Sequence, residues 1–570
     1  MSFESTGPTM STSVDDDRRT SPQSAGPAPR FDLSLSRFTA ASVAGAGVVL
    51  IPYLWVLFSL WEPPSLFRTV NGGPDNFYEL QARAIFQGHL HVPNGSLGGE
   101  AFVHNGHQYM YFGLFPALLR MPVLLATHSL DGRLTAISIF MAWLCTGVFT
   151  VLLIWRVRIL IRGPAFVSWA EAVSLGVLVA TVLGGSVLVV LAANPYVYSE
   201  DLAWSVALTV GSFFALLGVA ERPSTGRVVA SGALVIAAYN TRATTGLACA
   251  VGALLISVWF ALGREGTQNR RWWLSMLGVG LVPIVIGCAI NWAKFGQLFG
   301  FKLSDQISAF IYDRGNVKDF SLSYLPTTIQ AYFQPRGLQL SAVFPYITMP
   351  PEVHANSGIV TDPTASLPAS MPLLFLLGAW GTVCALRPGS PGKMSAVRIL
   401  LVAAAVGGSV VMVFAWILER YLADFLPLLI IAAAVGFVDV WRRLEWRPRR
   451  ARVLVLALLS VLGLFSIAAN FGIALSPTET WSTGQARNFV ATEKSISDVT
   501  GHPLAAQVAR GEKRPFSWAP RGQLFVLGDC SALYISDGLG LKGDPTYGVN
   551  WLLVEERPNR SLCRSLEADG

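Results

Sequence analysis

Charged side chains are scarce in this sequence. Only 14% of the 570 residues are Asp, Glu, Lys or Arg, whereas soluble proteins average about 25%. Hydrophobic residues make up 52% of the chain, and its mean hydropathy is +0.49. Apolar runs of about 20 residues recur from Phe38 to Ala474, the length needed to cross a bilayer. The composition excludes an ordinary soluble protein and predicts one polytopic domain in a lipid bilayer.

Motifs for common cofactors are also missing. No Cys-x-x-Cys, His-Glu-x-x-His or phosphate-binding loop occurs in the sequence. The pairs His89/His91 and His104/His107 are weak metal signals in a Gly-rich stretch, so we expect no bound metal and no other cofactor. The formal net charge of +7 lies mostly in short clusters between apolar runs, as in the cytoplasmic loops of membrane proteins. No nucleic-acid partner is therefore expected.

Eleven apolar segments are candidates for membrane crossings within a transmembrane domain of residues 37–475. They are 38–61, 134–155, 167–192, 202–220, 228–243, 244–262, 273–292, 369–386, 399–418, 421–440 and 453–475. Residues 1–36 are rich in Ser, Thr, Pro, Asp and Arg, which predicts a disordered cytoplasmic tail. No cleavable signal is recognised before the first apolar segment.

The positions of Arg and Lys test the order of these crossings, because both residues favour cytoplasmic loops. With a cytoplasmic N-terminus, eleven crossings place every basic cluster from Arg156 to Arg452 inside. This order requires 112–127 to lie at the interface without crossing, and 228–262 to form two short crossings. Arg outnumbers Lys 35 to 7, a bias typical of GC-rich bacterial coding. We therefore predict a multi-pass protein of the bacterial plasma (inner) membrane.

Three large pieces then lie outside the cytoplasm: the loop 62–133, the loop 292–368 and the tail 476–570. In the tail, GQLFVLGD, ALYIS and NWLLVEE have the composition of strands between turns, which predicts a small β-rich module. Cys530 and Cys563 both lie there, and an oxidising compartment favours a disulfide between them; two free thiols are the alternative. The predicted fold class is an all-α polytopic membrane bundle with a β-rich extracytoplasmic C-terminal module.

The first external loop has the most informative pattern. Its sequence includes Asp75, Asn76, Tyr78, Glu79, Gly88, Pro93, Tyr109 and Pro116, in that order. Apolar residues at helical spacing predict a surface helix that begins near Asp75. One interpretation of Asp75 is therefore purely structural, as the N-cap of this helix.

This pattern resembles the first external loop of the GT-C superfamily. These polytopic glycosyltransferases use polyprenyl-phosphate sugars, and they include protein mannosyltransferases and aminoarabinose lipid A transferases. In that family an acidic pair opens the loop, followed by a Tyr, a Gly, a Pro and an aromatic-Pro segment. Here Asn76 stands in place of the second acid. The resemblance implies a GT-C-like bundle with Asp75 as catalytic residue, a polyprenyl-phosphate sugar as donor, and a cell-envelope glycan, lipid or protein as acceptor.

The chemistry of such a transfer indicates further residues. An acceptor hydroxyl needs a base, for which one carboxylate such as Asp75 is sufficient. The departing lipid phosphate needs a cation. Arg242 is the first candidate, because the turn 240–245 between two short crossings lies outside, although interface snorkelling is the alternative. Arg420 with Tyr421, which begin a later span on the same side, are weaker candidates.

Acceptor-side candidates are more loosely indicated. Glu200 and Asp201 lie in the predicted external loop 194–201, which holds two acids and no cation, and capping of the next span by Ser199 or Glu200 is the alternative. Tyr78, Glu79 and Tyr109 join them because they belong to the first-loop pattern.

Two other functions remain open from the sequence. A polysaccharide polymerase or O-antigen ligase would also have many spans and a large late loop, here 292–368. A transporter or flippase of lipid-linked glycans is the third candidate. The sequence shows no internal repeat and few ionisable residues in mid-span, whereas transporters usually have both. The glycosyltransferase is therefore the favoured prediction.

Overall fold

The computed structural model describes the helical region in segments and the tail in short pieces. The described residues are 28–60, 76–263, 268–302, 305–307, 318–340, 344–350, 353, 359–387, 394–475, 492, 495–496, 499, 514–515, 523–527, 530–535 and 550–555. Asp75 and Cys563, both named above, lie outside these residues.

Helices coincide with all eleven predicted spans. These helices are α1 (Ala28–Leu57), α4 (Thr135–Arg162), α5 (Trp169–Gly184), α7 (Val197–Glu221), α8 (Thr225–Tyr239), α9 (Ala243–Leu262), α10 (Gln268–Phe295), α13 (Pro372–Leu386), α14 (Ser395–Met412), α15 (Leu426–Leu444) and α16 (Arg449–Ala474). Shorter helices complete the described bundle: α2 (Phe77–Phe86), α3 (Phe115–Ala126), α6 (Leu188–Ala193), α11 (Leu325–Phe333) and α12 (Leu367–Ser370).

Eight helices of the described region are long and apolar enough to cross a membrane. Helices α5, α8 and α13 have 16, 15 and 15 residues, fewer than the roughly 20 that a perpendicular crossing needs. On α1, α10 and α16, large apolar side chains face outward: Ile51, Val285 and Leu454 are 75%, 65% and 69% exposed. Lipid accounts for such surfaces. The chain is a multi-pass membrane protein, and the count of eleven crossings stays a prediction.

The helix ends gather at two opposite ends of the bundle. At one end, Arg162 of α4 bonds Glu445 after α15, and Arg271 of α10 bonds Thr225 of α8. We call this the basic end. At the other end, Arg120 of α3 bonds Glu200 of α7, and Lys294 of α10 bonds the chain before α3. We call it the loop end, because the first loop and the turn between α8 and α9 lie there.

Glycine allows the closest helix packing in the bundle. Gly381 of α13 and Gly436 of α15 face one another, and a side chain on either would overlap the backbone of the other helix. Such contacts are common between membrane helices, where close van der Waals packing replaces the hydrophobic effect. The pair fixes α15 firmly, and α15 follows directly on the 3₁₀ turn Glu419–Phe425 of the candidate site.

The first loop corrects two predictions. Helix α2 begins at Phe77 with Asn76 in the N-cap position, so the interpretation of Asp75 as the N-cap is wrong. The helix is also not a surface helix, since Tyr78 and Ala82 are among six of its ten residues that are buried. It packs on α3, whose 12 residues within 112–127 are too short for a crossing. The hairpin of β1 (Phe102–His104) and β2 (His107–Tyr109) follows α2.

Other strands are short, except in the tail. Strands β3 (Gln339–Leu340) and β4 (Ile347–Thr348) pair antiparallel, and β5 (Val360–Thr361) and β6 (Trp416–Ile417) pair parallel. In the tail, β7 (Arg514–Pro515), β8 (Gln523–Leu527), β9 (Cys530–Ile535) and β10 (Asn550–Glu555) form one antiparallel sheet in sequence order. The three predicted strand segments coincide with β8, β9 and β10. An extracytoplasmic module and the Cys530–Cys563 disulfide stay predictions.

Candidate functional site

Three chain segments meet at the loop end and build the candidate site. They are the first turns of α7, the three-residue turn Asn240–Arg242 between α8 and α9, and the 3₁₀ turn Glu419–Phe425 before α15. The break at 240–242 agrees with the prediction that 228–262 is two segments. Each segment contributes ionisable side chains at the same end of the bundle.

Arg242 lies at the centre of a buried ion-pair group. Its Nε and one terminal nitrogen each donate to Asp424 at 3.0 Å, which is a bidentate pair. Its other terminal nitrogen donates to Asp201 at 3.2 Å. Asp424 also accepts a hydrogen bond of 2.8 Å from the Thr244 hydroxyl. The side chain of Arg242 is 19% exposed and those of Asp201 and Asp424 are 3% and 0% exposed.

The charge of Arg242 is already compensated by Asp201 and Asp424. Two carboxylates surround one guanidinium, so an incoming phosphate would compete with Asp201 and Asp424 for the same N–H groups. It would also meet the repulsion of the second carboxylate. Snorkelling does not describe this arginine, because its side chain points into the protein and bonds two buried acids. Arg242 is better suited to hold the site together than to bind an anion by itself.

Arg420 has a different environment. One terminal nitrogen donates to the Tyr196 hydroxyl at 3.1 Å, and the guanidinium carbon lies 4.4 Å from the centre of the Tyr198 ring. Tyr111 of the first loop is close enough to interact electrostatically with it. Within the described residues no carboxylate forms an ion pair with Arg420, and its buried Nε has no hydrogen-bond partner there. Arg420 is therefore a cation surrounded by phenols, one of which, Tyr198, bonds the Glu100 carboxylate, and its own charge has no ion-pair partner among the described residues.

Tyr421 lies between the two arginines. Its ring centre is 5.4 Å from the guanidinium carbon of Arg242 and 5.6 Å from that of Arg420. Cation–π contacts of this kind hold guanidinium groups over an aromatic face without neutralising their charge. The structure thus brings together all three residues that the sequence assigns to the donor phosphate, but it gives Arg242 and Arg420 different partners.

Glu200 and Asp201 lie in the first turns of α7 and not in a loop, which corrects the predicted loop 194–201. The N-cap position is Tyr196, so capping by Ser199 or Glu200 is wrong. The segment 194–201 itself holds no cation, but the folded chain supplies one to each of these acids. Glu200 accepts from Arg120 at 2.6 Å and from the Ser138 hydroxyl at 2.5 Å, while Asp201 pairs with Arg242.

Tyr78 links the first loop to this group. Its hydroxyl donates to Asp201 at 3.4 Å, and Arg120 lies 5.5 Å from its ring centre. Burial, together with the nearby carboxylates of Asp201 and Glu200, raises the pKa of Tyr78 well above its ordinary value, so the phenol keeps its proton. Tyr78 is therefore a hydrogen-bond donor at the site.

Glu79 and Tyr109 lie outside the ion-pair group, and their contacts are structural. Glu79 is buried and accepts backbone hydrogen bonds from Gly132 and from Leu134, the latter at 3.0 Å. Burial raises the pKa of Glu79, against the opposing effect of Arg120. Tyr109 packs with Phe102 and Phe295 in a separate aromatic cluster. Among the described residues, neither side chain forms a hydrogen bond or an ion pair with Arg242 or Arg420.

The histidines of the first loop stack on one another. The ring centres of His89 and His91 are 4.6 Å apart, and those of His91 and His107 are 4.2 Å apart. Among the residues that the structure describes, no three His, Cys, Asp or Glu side chains form a group that could hold a metal. The expectation that the protein uses no metal stays a prediction.

The sequence analysis missed several residues of the site: Asp424, Arg120, Tyr111, Tyr196 and Tyr198. Asp424 could have been found, because an acid inside the apolar segment 421–440 is a functional candidate by default. Arg120 lies in the segment 112–127, which the sequence assigns to the interface and not to the site. The tyrosines carry no signal by spacing, since Tyr111 lies in the first loop, Tyr196 and Tyr198 lie at the start of α7, and the two groups meet only in the folded chain.

No family model and no curated protein matches this sequence. The fold is similar to the apo oligosaccharyltransferase of Archaeoglobus fulgidus, with 15% identity and a TM-score of 0.40 over 78% of this chain and 57% of that chain. It is also similar to apo ArnT from Cupriavidus metallidurans, with 14% identity and a TM-score of 0.39 over 83% and 81%.

A third solved structure is the Archaeoglobus fulgidus oligosaccharyltransferase AglB in complex with an inhibitory peptide and a dolichol-phosphate. It shares 15% identity and a TM-score of 0.38, over 82% of this chain and 59% of that chain. These structures are GT-C glycosyltransferases. The chain spans little more than half of the length of the archaeal enzyme. At these TM-scores the likeness does not indicate a function for this chain.

Proposed function

We propose that this protein is an inverting glycosyltransferase that moves a sugar from a polyprenyl phosphate to a cell-envelope acceptor outside the cytoplasm. The observation that carries the proposal is the environment of Arg420. It is a cation at the loop end of a membrane bundle, it has hydrogen-bonding phenols around it, and no described carboxylate pairs with it. The first loop, with its Asp75 pattern, contributes Tyr111 to the same place.

A lipid phosphate fits this environment better than a free sugar does. The guanidinium of Arg420 can donate two parallel hydrogen bonds to phosphate oxygens, and such charge-assisted bonds are about twice as strong as neutral ones. The hydroxyls of Tyr196 and Tyr111 can add further donors around the same anion, whereas the Tyr198 hydroxyl already bonds the Glu100 carboxylate. The site lies at the end of the apolar helices, where the lipid chain of the donor could stay in the bilayer.

The proposed reaction needs one base and one leaving-group site. An acceptor hydroxyl oxygen attacks the anomeric carbon, the bond from that carbon to the phosphate oxygen breaks, and the hydroxyl proton passes to Asp75. The polyprenyl phosphate leaves as an anion that Arg420 stabilises. Attack from the face opposite the phosphate inverts the anomeric centre. The role of Asp75 rests on the loop pattern, because the residue lies outside the described part of the chain.

The remaining predicted residues have supporting roles in this proposal. Arg242 ties Asp424 to Asp201 and orients Tyr421 beside Arg420. Glu200 and Tyr78 fix α7 against α3 and α2. Glu79 anchors α2 to the chain before α4, and Tyr109 packs the hairpin. We propose that together they shape the path of the acceptor to Asp75.

The transfer can be tested directly in membranes that contain the protein. A panel of radiolabelled polyprenyl-phosphate hexoses and pentoses is supplied, and label in endogenous acceptor is measured for the wild type and for Asp75→Asn. We expect transfer from at least one donor, and a loss in Asp75→Asn on the order of 100-fold or more, because the amide cannot take the proton. Arg442→Gln, far away at the basic end, is the control and should transfer normally.

Three results would separate the alternatives. Full transfer by Asp75→Asn would overturn the assignment of the base. Use of only diphosphate-linked oligosaccharides would favour the polymerase or ligase. Movement of a lipid-linked glycan across the membrane with no label in acceptor would favour the transporter.

The orientation and the tail complete the proposal. We propose that the protein lies in the plasma (inner) membrane with a cytoplasmic N-terminus and an extracytoplasmic tail. A reporter fused after Gly570 should then be active only outside the cytoplasm. Removal of 480–570 should change acceptor affinity more than donor affinity, because the tail contributes no residue to the described site. Activity of the reporter in the cytoplasm would contradict the eleven-crossing order.

A further inference from the structure

Lys294 is a buried lysine that the proposed reaction does not use. It is the last residue but one of α10, and it is 2% exposed. Its ammonium group donates to the carbonyl oxygens of Met110 at 3.0 Å and of Phe112 at 3.1 Å. In the described part of the chain no carboxylate pairs with it. Burial of an ammonium group is costly without such a partner, so a buried lysine with only carbonyl partners calls for a function.

The two carbonyls lie on either side of Tyr111. They belong to a short segment, Met110–Phe115, that we call the strap. The strap is also held at its other end, where the Phe115 amide donates to the Asn240 carbonyl at 3.0 Å. Gly113 approaches the same backbone so closely that a side chain there would overlap Asn240 and Thr241. The strap is thus tied both to α10 and to the turn that ends in Arg242.

The ring of Tyr111 is in turn fixed by aromatic neighbours. It stacks on Phe112 at 4.1 Å and meets the edge of Phe102 at 5.5 Å, measured between ring centres. Phe112 in turn contacts the Tyr198 ring, at 5.2 Å between ring centres, and the Arg420 guanidinium lies over that ring. The Tyr111 hydroxyl also interacts electrostatically with Glu100, Tyr421 and Arg420. The backbone bonds from Lys294 therefore set the direction of a side chain that reaches the proposed phosphate site.

We propose that Lys294 is a positioning residue: by holding the carbonyls of Met110 and Phe112, it places the Tyr111 hydroxyl beside Arg420 to bind the donor phosphate. This inference rests on the proposed function. Lys294 itself does not contact the phosphate, because its bonds go to the strap. Small displacements of such groups are expensive, since a shift of about 1 Å can cost on the order of 100-fold in rate.

The test compares Lys294→Met with a matched control, Lys302→Met. The first change removes the ammonium group and keeps an apolar chain of similar length. The second removes the same charge from an exposed lysine at the loop end. We expect Lys294→Met to lower kcat/KM for the donor on the order of 10-fold, with the acceptor KM nearly unchanged. Lys302→Met should behave as the wild type.

A double-mutant cycle with Tyr111→Phe shows whether Lys294 acts through Tyr111. If it does, Lys294→Met should have less than about a threefold effect in the Tyr111→Phe background, because the hydroxyl that it positions is already absent. The same loss in both backgrounds would overturn the proposal and leave Lys294 as a general structural residue. If Lys294→Met does not fold, Lys294→Gln, which keeps one amide donor, takes its place in the cycle.

Hydrogen exchange distinguishes failure of this inference from failure of the proposed function. The backbone amides of 110–115 should exchange faster in Lys294→Met than in the wild type or in Lys302→Met, whether or not any sugar is transferred. Unchanged exchange would contradict the positioning role. Absence of transfer in the wild type, with faster exchange in Lys294→Met, would instead refute the glycosyltransferase and leave the strap contact intact.

Discussion

The two ends of the bundle use arginine in different ways. At the basic end, Arg158 and Arg162 both pair with Glu171, at 2.8 and 3.1 Å, and Arg442 and Arg443 both pair with Asp439. At the loop end, Arg120 and Arg242 are also paired with acids, but Arg420 is surrounded by tyrosines. Paired arginines join helices, whereas an unpaired one leaves charge available to a ligand.

This difference separates residues that hold the frame from the residue that binds. Burial of an arginine costs desolvation energy, and a carboxylate partner compensates for that cost. Arg420 has the same desolvation cost but forms no ion pair with a described residue. A bound phosphate would compensate for the cost. The comparison therefore makes Arg420 the leading candidate for the donor phosphate, ahead of Arg242, which the sequence ranked first.

Arg120→Met should have the largest effect on stability. It removes the described cationic partner of Glu200, whose side chain is 0% exposed, and leaves a buried acid without a counter-charge. We expect a loss of about 3–5 kcal/mol in the free energy of unfolding, measured by denaturant titration in micelles. The double variant Arg120→Met/Glu200→Gln should recover part of this loss. Equal stability of the single variant and the wild type would show that the pair is not needed.

Arg158→Met makes the corresponding change at the basic end and should cost less. Glu171 keeps Arg162 at 3.1 Å, so its charge stays compensated, and the loss is limited mainly to hydrogen bonds. We expect about 1–3 kcal/mol in the same titration. Transfer activity of the folded protein should not change. A selective loss of donor use would contradict the division between the two ends.

Arg420→Met should scarcely alter stability, although the residue is largely enclosed. No described carboxylate is left unpaired by the change, and methionine fills similar space without the desolvation cost of the cation. We expect a change within about 1 kcal/mol, of either sign, since replacement of buried charge by apolar groups is often neutral or stabilising. A destabilisation as large as that of Arg120→Met would place Arg420 among the residues of the frame.

Arg442→Gln should have the smallest effect. Its side chain is 55% exposed, and Asp439 keeps Arg443 at 2.6 Å. Exposed pairs contribute about 0–1 kcal/mol and are screened by salt. The variant should unfold within that range of the wild type at low salt, and the difference should shrink at high salt. A larger, salt-independent effect would mean that this pair is part of the buried frame.

Much of the helical arrangement was predictable, because it follows from apolar length and the distribution of arginine. The break between α8 and α9 was found in this way, since one long span would have reversed the side of Arg264, Arg270 and Arg271. The start of α7 differs from the prediction, since the predicted span begins at Leu202 whereas the helix begins at Val197. Glu200 and Asp201, predicted to lie in the loop 194–201, are therefore helical and buried.

The division of roles between Arg242 and Arg420 could not be predicted. Asp424 lies 182 residues from Arg242 in the sequence, and only the packing of the 3₁₀ turn Glu419–Phe425 at the loop end brings them together. Asp424 can be recognised as an acid inside an apolar segment, but its partner cannot be predicted from that position. Both arginines were recognised as candidates from their place at the ends of spans. Which one is neutralised depends on contacts that no local pattern encodes.

Equilibrium binding of a polyprenyl phosphate to the purified protein tests the central claim most directly. It is measured for the wild type, Arg420→Met, Arg242→Met and the basic-end control Arg158→Met, each first shown to be folded. Loss of a charge-assisted contact of about 1.5–3 kcal/mol predicts binding roughly 10- to 150-fold weaker in Arg420→Met, a smaller loss in Arg242→Met and none in Arg158→Met. Binding by Arg420→Met that equals the wild type would contradict the claim that Arg420 holds the donor phosphate.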